Sequence, residues 1–375
     1  MDRIDVAIIG GGVIGLAVAA AIARPDRDIF IIEKNVSFGQ EASSRNSEVI
    51  HSGIYYPGYS LKTRTCIEGN RLLYEICREN GIPHARTGKL IVASSPSEIK
   101  PLEDLFRQGC KNGLEDIIML SAEETKKLEP SVEAIQSIYL PMTGIIDSHS
   151  LMEYFLSGAK DGGADIIYDS QVQGIEAQNS GYRLTARDSS GELNTFLAGV
   201  VINCAGLGSD SIAGMVGIKN DDYTLSYCKG DYFRVGNRKN LLVKKLIYPV
   251  TGPDDTSLGI HATPDLTGGV RLGPDAEYLA SREIDYSVDP CKRDLFYDSV
   301  KTFLPFIEKE DLSVDTSGIR PKLQGPGEGF RDFVIEHEES AGFTGFINLI
   351  GIESPGLTAS PAIARIVKKI VDGLV

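Results

Sequence analysis

Apolar residues run unbroken through Val6-Ala7-Ile8-Ile9 and stop at Gly10-Gly11-Gly12-Val13-Ile14-Gly15. The run has strand length, and the next apolar positions, Ile14, Ala17, Val18, Ala21 and Ile22, recur on one face of a helix that Arg24-Pro25-Asp26 closes. A second apolar run over residues 28–32 then delivers Glu33, eighteen residues beyond Gly15. Strand, glycine turn, helix, strand and acid together give G-x-G-x-x-G the context it needs to bind a dinucleotide. Gly10 permits the tight turn, Gly12 lets backbone approach a pyrophosphate, and Gly15 lets helix and strand pack closely. The helix N-terminus, with Val13 and Ile14, offers free N–H groups and a positive dipole end. A carboxylate at Glu33 suits ribose hydroxyls and repels a 2′-phosphate, so NADP is disfavoured. The motif alone does not separate NAD from FAD.

Beyond Glu33 and Lys34, the stretch 37–47 is polar and lacks the periodicity of a core element, so it reads as a functional loop. The pattern then predicts a helix from about Leu61 to Glu79, a strand over 88–93, a helix from near Ser97, a capped short helix after Ser121, a strand over 135–140 and a helix from Ser148. Short strands follow at 166–168, 172–177 and 182–187, with Asp188-Ser189-Ser190-Gly191 as a hairpin signal. A buried strand over 199–204 ends in Ala205-Gly206. Residues 226–320 alternate short strands (232–235, 246–249, 258–261 and 270–273) with Gly/Pro/Asp loops, and Asp289-Pro290 opens a helix. A last buried strand over 346–351 leads to Ser354-Pro355-Gly356-Leu357-Thr358 and a final helix, Ala362 to Val371. Strand, Gly-rich turn and helix thus recur at three places, as in one α/β nucleotide domain built from separated segments, with a second domain inserted.

Composition narrows the partners. The 375 residues carry a net charge of −14, so no global positive field draws the chain to nucleic acid or anionic lipid. Six cysteines are scattered without a C-x-x-C pair, which points to reduced thiols and to no metal site. The first strand begins almost at Met1 and no apolar run is long enough for a bilayer, so a cytoplasmic protein is expected. Lys368 and Lys369 beside Ile and Val make the final helix a candidate for peripheral membrane contact, an ordinary amphipathic helix being the plainer reading.

The glycine motif with Glu33, the strand end Asn203-Cys204-Ala205-Gly206 and the terminal Gly-Leu-Thr-Ala-Ser-Pro-Ala-Ile-Ala resemble FAD-dependent oxidoreductases of the D-amino acid oxidase and glycerol-3-phosphate dehydrogenase superfamily. Within it, residues 46–56, Ser60-Leu61-Lys62, residues 258–264 and Leu272-Gly273-Pro274-Asp275-Ala276 are similar to L-2-hydroxyglutarate dehydrogenases. The resemblance runs the whole length. It implies a Rossmann-like FAD-binding domain (1–85, 145–225 and 321–375) and an inserted substrate-binding domain with a mixed or antiparallel sheet (86–144 and 226–320), α/β in class and α+β overall. It implies that Gly10, Gly12, Gly15 and the helix N-terminus hold the FAD pyrophosphate, and Glu33 the adenosine ribose. Ser43, Ser44, Arg45, Asn46 and Ser47 would run past the phosphates and the isoalloxazine edge, with Lys34, Val172, Ala205 and Gly206 near the cofactor. The turn Ser354, Pro355, Gly356, Leu357 and Thr358 would place N–H groups at the flavin O2 position, where charge develops on reduction. A 2-hydroxy acid substrate and an electron acceptor, whether quinone, oxygen or carrier protein, are the implied partners.

Oxidising a 2-hydroxy acid needs C2–H aimed at flavin N5, a base for the hydroxyl proton and cations for the carboxylates. His51 and His261 are the candidate bases, because imidazole titrates near neutral pH. Which of the two serves is left open by the sequence. Arg320 is the candidate carboxylate clamp, since a planar guanidinium gives two parallel hydrogen bonds; it also falls beside the expected cofactor residues. Lys62, Lys229 and Arg271 are weaker candidates for a second carboxylate, and Tyr55, Tyr56 and Tyr248 for the pocket lining. The expected reaction is oxidation of L-2-hydroxyglutarate; the alternatives are a flavin-dependent amino-acid oxidase and a flavoprotein that is catalytically idle.

Overall fold

The structure is a computed structural model in which residues 3–251 and 259–375 are described. The chain divides into two compact units, one of residues 1–44, 148–227 and 320–375, the other of residues 45–147 and 228–319.

The first unit is built on a sheet that has eight strands among the described residues. Its parallel heart places Arg3–Ile9 between Ile29–Ile32 and Leu193–Asn203, with Asp165–Ile167 and Phe346–Ile350 outside them. Gln171–Gln178 and Gly181–Arg187 add an antiparallel hairpin edge. Val6, Ala7 and Ile8 are fully buried, as expected of a strand covered on both faces. Three helices, Val13–Ile22, Ser209–Val216 and Gly356–Val371, each start just beyond the end of a parallel strand.

The first turn is fixed by sterics. Gly10 has φ +109°, and a Cβ there would lie 2.4 Å from the Cys204 carbonyl oxygen. A Cβ on Gly15 would lie 2.0 Å from the Gly10 carbonyl oxygen. Both obstacles are backbone, which cannot move aside as a side chain can. Gly15→Ala is therefore expected to lower stability by about 1–3 kcal/mol. Urea unfolding of the purified variant checks this; a wild-type midpoint would mean that the turn has room to spare.

The second unit is built on a mixed sheet that has nine strands among the described residues, in the order Glu277–Tyr278, Ser226–Val235, Val270–Leu272, Ala262–Pro264, Leu246–Pro249, Lys89–Ala93, Gln136–Leu140 and Ile118–Ser121, with Leu312–Lys322 paired to Ser226–Val235. All five residues of Lys89–Ala93 are buried, because its neighbours pair with it on both sides, parallel on one and antiparallel on the other. Helix Arg293–Val300 covers one face, with Phe296 packed on Phe233 at 4.6 Å between ring centroids. On the other side Leu102 of helix Ile99–Lys111 joins Ile91, Ile138 and Tyr248.

Several expectations are corrected in detail. Residues 45–85 cluster with the second unit, because Val49–Ile50 and His84–Ala85 flank and pair with Gly144–Ile146. Of the strand expected at 258–261, Leu258 lies outside the described residues, and the strand begins only at Ala262. The final helix starts at Gly356, not Ala362, and carries Pro361 inside it. Pro361 has no N–H for the Leu357 carbonyl, and the Ser360 hydroxyl donates to that oxygen instead, at 2.9 Å. Ala359, Ala362, Ile363 and Val367 are buried, and the helix packs on Val13–Ile22. The apolar face that would have touched a membrane is spent inside the unit, and Lys368 pairs with Asp372. Among the described residues no helix is long and apolar enough to cross a membrane.

Candidate active site

In the first unit the helix Val13–Ile22 has no side-chain cap from Gly12 and no acid in its first turn. The Ser43 hydroxyl accepts from Val13 N–H at 2.9 Å, while Ile14 and Gly15 lie in the first turn, where N–H groups have no intrahelical acceptor. Glu33, buried at the end of its strand, accepts from Gly11 N–H through Oε2 at 2.7 Å and from Asn35 through Oε1. The carboxylate is thereby oriented, and Oε2 keeps a lone pair for a hydroxyl. A helix start whose Ile14 and Gly15 N–H groups have no intrahelical acceptor, behind Gly10 and Gly15 that admit no Cβ, fits a pyrophosphate, so the residues present suit a dinucleotide.

The other expected cofactor residues scatter more. Ala205 and Gly206 lie where the Gly10 turn meets the strand end at Cys204. Val172 is buried at the start of its strand, and Lys34 pairs with Glu41 at 2.7 Å. Helix Gly356–Val371 also starts without a side-chain cap or a first-turn acid, at Pro355-Gly356, with Thr358 buried. Ser44 donates weakly to the Glu41 carbonyl oxygen, at 3.4 Å. In the second unit the Arg45 guanidinium lies 3.8 Å from the Tyr286 ring centroid, Asn46 Oδ1 accepts from Glu48 N–H, and Ser47 shares a hydrogen bond with the Tyr232 hydroxyl. Arg320, partly exposed, sits near the end of strand Leu312–Lys322 and belongs to the first unit.

The second unit gathers His51 and Tyr55 with Tyr248 and His261, two pairs that are far apart in sequence. Asn70, on helix Leu61–Asn80, donates to the His51 carbonyl oxygen at 2.8 Å and fixes that loop. His261 stacks on Tyr248 with ring centroids 3.7 Å apart, and its Nδ1 lies 2.9 Å from the Gly259 carbonyl oxygen. A carbonyl only accepts, so Nδ1 carries the hydrogen and Nε2 is left as a base. Tyr55 stacks on Tyr248 at 6.4 Å. Desolvation first, then the neighbouring Lys89 and His261, hold the His51 imidazole well below its ordinary pKa. His51 is thus neutral at neutral pH and able to accept a proton.

Lys89 is the residue that the sequence reading missed. It is 1% exposed, and its Nζ lies 3.7 Å from the Tyr248 ring centroid. Two groups cannot share one ring face at that distance, so Tyr248 is sandwiched between Lys89 and His261. Burial pushes the Lys89 pKa down to about 7. Two of the three cations expected to meet a second carboxylate already have acids beside them: Arg271 pairs with Asp315 at 2.7 Å, and Lys229 donates to the Ser287 carbonyl and stands 3.8 Å from Asp285. Lys62, buried on its helix, has its Nζ 5.6 Å from the Tyr56 ring centroid.

A mostly parallel sheet with a glycine-lined helix start at its first strand end defines a dinucleotide-binding scaffold. The family described as FAD dependent oxidoreductase matches residues 5–370, and the chain belongs to that family. FAD is its cofactor. The chain is 37% identical to "L-2-hydroxyglutarate dehydrogenase, mitochondrial" of Arabidopsis thaliana, over 97% of this chain and 82% of that one. It is 30% identical to L-2-hydroxyglutarate dehydrogenase of Indibacter alkaliphilus, over 96% of each. Among solved structures it is similar to L-alpha-glycerophosphate oxidase of Mycoplasma pneumoniae with FAD bound, with a TM-score of 0.87, 28% identity and coverage of 99% and 95%.

Proposed function

We propose that the chain oxidises L-2-hydroxyglutarate to 2-oxoglutarate. The observation that carries this reading is the near-full-length likeness to relatives bearing that activity in their names. FAD, when bound, supplies the acceptor for the hydride that leaves C2. The chain's own groups manage the proton and the charge. His51, kept neutral, takes the hydroxyl proton as C2–O becomes a carbonyl, so the substrate gives up one hydride and one proton. His261 keeps the Tyr248 wall in place by stacking. Arg320 is proposed to grip the C1 carboxylate with two N–H donors, and the glycine turn, Glu33 and the Gly356 helix start to hold the cofactor.

The test is the visible spectrum of the purified protein without oxygen, before and after adding L-2-hydroxyglutarate. Bleaching of the flavin band by the L acid, with none by the D acid or by glycine, is expected. Bleaching by glycine alone would make the chain an amino-acid oxidase, and no bleaching by any of them would leave a flavoprotein without this chemistry.

A further inference from the structure

Two polar groups of the second unit are buried without the partners that their chemistry needs. Lys89 makes cation–π contacts, at 3.7 Å to the Tyr248 ring centroid and 5.6 Å to that of Tyr55, and has no ion pair among the described residues. The Tyr55 hydroxyl is buried and has no hydrogen-bond partner among the described residues. Each is costly alone, since an aromatic face replaces only part of an ammonium's hydration and a dry hydroxyl forfeits its hydrogen bonds. The titratable groups facing the ammonium are Cys66 from helix Leu61–Asn80, Tyr55 and His51 from the segment after Val49–Ile50, Tyr248 from Leu246–Pro249, and His261 beyond the Tyr248 ring. Burial pushes the Cys66 thiol up to about 12 and raises both phenols, so none of these supplies a negative charge.

A small anion with acceptor oxygens would satisfy both groups at once. We propose that Lys89 and Tyr55 receive the distal carboxylate of the substrate, so that Lys89 selects dicarboxylic over monocarboxylic 2-hydroxy acids. The proposal rests on the function proposed above. It also accounts for the other cations, since Arg271 and Lys229 already have acids of their own.

The test compares L-2-hydroxyglutarate with L-2-hydroxyvalerate, which keeps the chain length and loses the distal carboxylate, as reductants of the holoenzyme flavin in stopped flow. Wild type is expected to favour the dicarboxylate by about a hundredfold or more, and K89M to cut that preference below about tenfold, through loss on the dicarboxylate side. Tyr55→Phe is expected to cost about tenfold on the same side. A second readout needs no variant. At pH 8 Lys89 is mostly neutral, and a carboxylate beside it restores its proton, so 2-oxoglutarate is expected to bind wild type with uptake of about one proton and 2-oxovalerate with none. Calorimetry in two buffers of different ionisation enthalpy measures this. An unchanged preference in K89M, binding of 2-oxoglutarate without proton uptake, or uptake that survives in K89M and so belongs to His51, would each overturn the proposal. Failure of L-2-hydroxyglutarate to reduce the wild-type flavin would instead remove the functional reading itself, and this proposal with it.

Discussion

Replacing His51 by Ala is expected to slow flavin reduction by L-2-hydroxyglutarate by about 10²–10⁴-fold while leaving the flavin bound. The imidazole is the group whose surroundings tune it for the task. A base must be unprotonated before the substrate arrives, and desolvation first, then the neighbouring Lys89 and His261, keep the His51 pKa well below its ordinary 6.5. The sign of the pH dependence follows. Protonation of His51 stops the reaction as pH falls through its pKa, and a lowered pKa moves that loss to more acidic pH. Wild-type reduction is therefore expected to be flat through pH 7 and to lose rate only well to the acid side of the ordinary imidazole value of 6.5. Removing the Lys89 charge takes away one cause of the lowering, so the acid limb of K89M should move up toward 6.5. Stopped-flow traces over pH 5 to 8 decide the matter. A His51→Ala rate within tenfold of wild type would shift the base to His261, whose Nε2 has the right tautomer.

The parts of the molecule that the sequence made legible are those whose causes are local. The Gly10, Gly12 and Gly15 turn, the helix after it and the acid at Glu33 lie within thirty-three residues, so their spacing is visible in the chain even though the atom that excludes a Cβ at Gly10 belongs to Cys204. The helix Leu61–Asn80 is legible from its apolar periodicity and from Gly81, which ends it in the left-handed region. The first turns of the terminal helix are not, because nothing nearby announces that the Ser360 hydroxyl takes over the donation that Pro361 lacks. Lys89 was illegible for a different reason. A lysine heading Leu-Ile-Val-Ala reads as the exposed start of a strand. Only pairing with Leu246 on one side and Leu140 on the other puts it inside, and those partners are distant in sequence. Arg271 and Lys229 misled in the opposite sense, since Asp315 and Asp285 come beside them only through the fold. A sequence shows that a cation exists; burial and counter-ions decide whether its charge is available.

That distinction makes a further result calculable. K89M is expected to be more stable than wild type at acidic and neutral pH even though it is the poorer enzyme. The lysine stands near 7 in the folded chain against an ordinary 10.5, so the folded state resists a proton that the unfolded state keeps. Below pH 7 the amine is charged in both states and the whole cost of burying the charge is present, of the order of 5 kcal/mol. Between 7 and 10.5 the unfolded chain binds a proton that the folded chain does not, so wild-type stability rises with pH through that window. Methionine keeps the unbranched stem in its packing and removes the charge, while giving up a cation–π attraction of about 1–2 kcal/mol. The net gain should be about 3 kcal/mol near pH 6 and should fade as pH approaches 10. Urea midpoints of both proteins at pH 6, 8 and 9.5 measure it. A K89M protein less stable than wild type at every pH would mean that the Tyr248 contact more than compensates the buried charge, and that Lys89 is held for the fold. A gain that shrinks with rising pH would mark a residue retained against the interest of stability, as expected of a charge that awaits its counter-ion from the substrate.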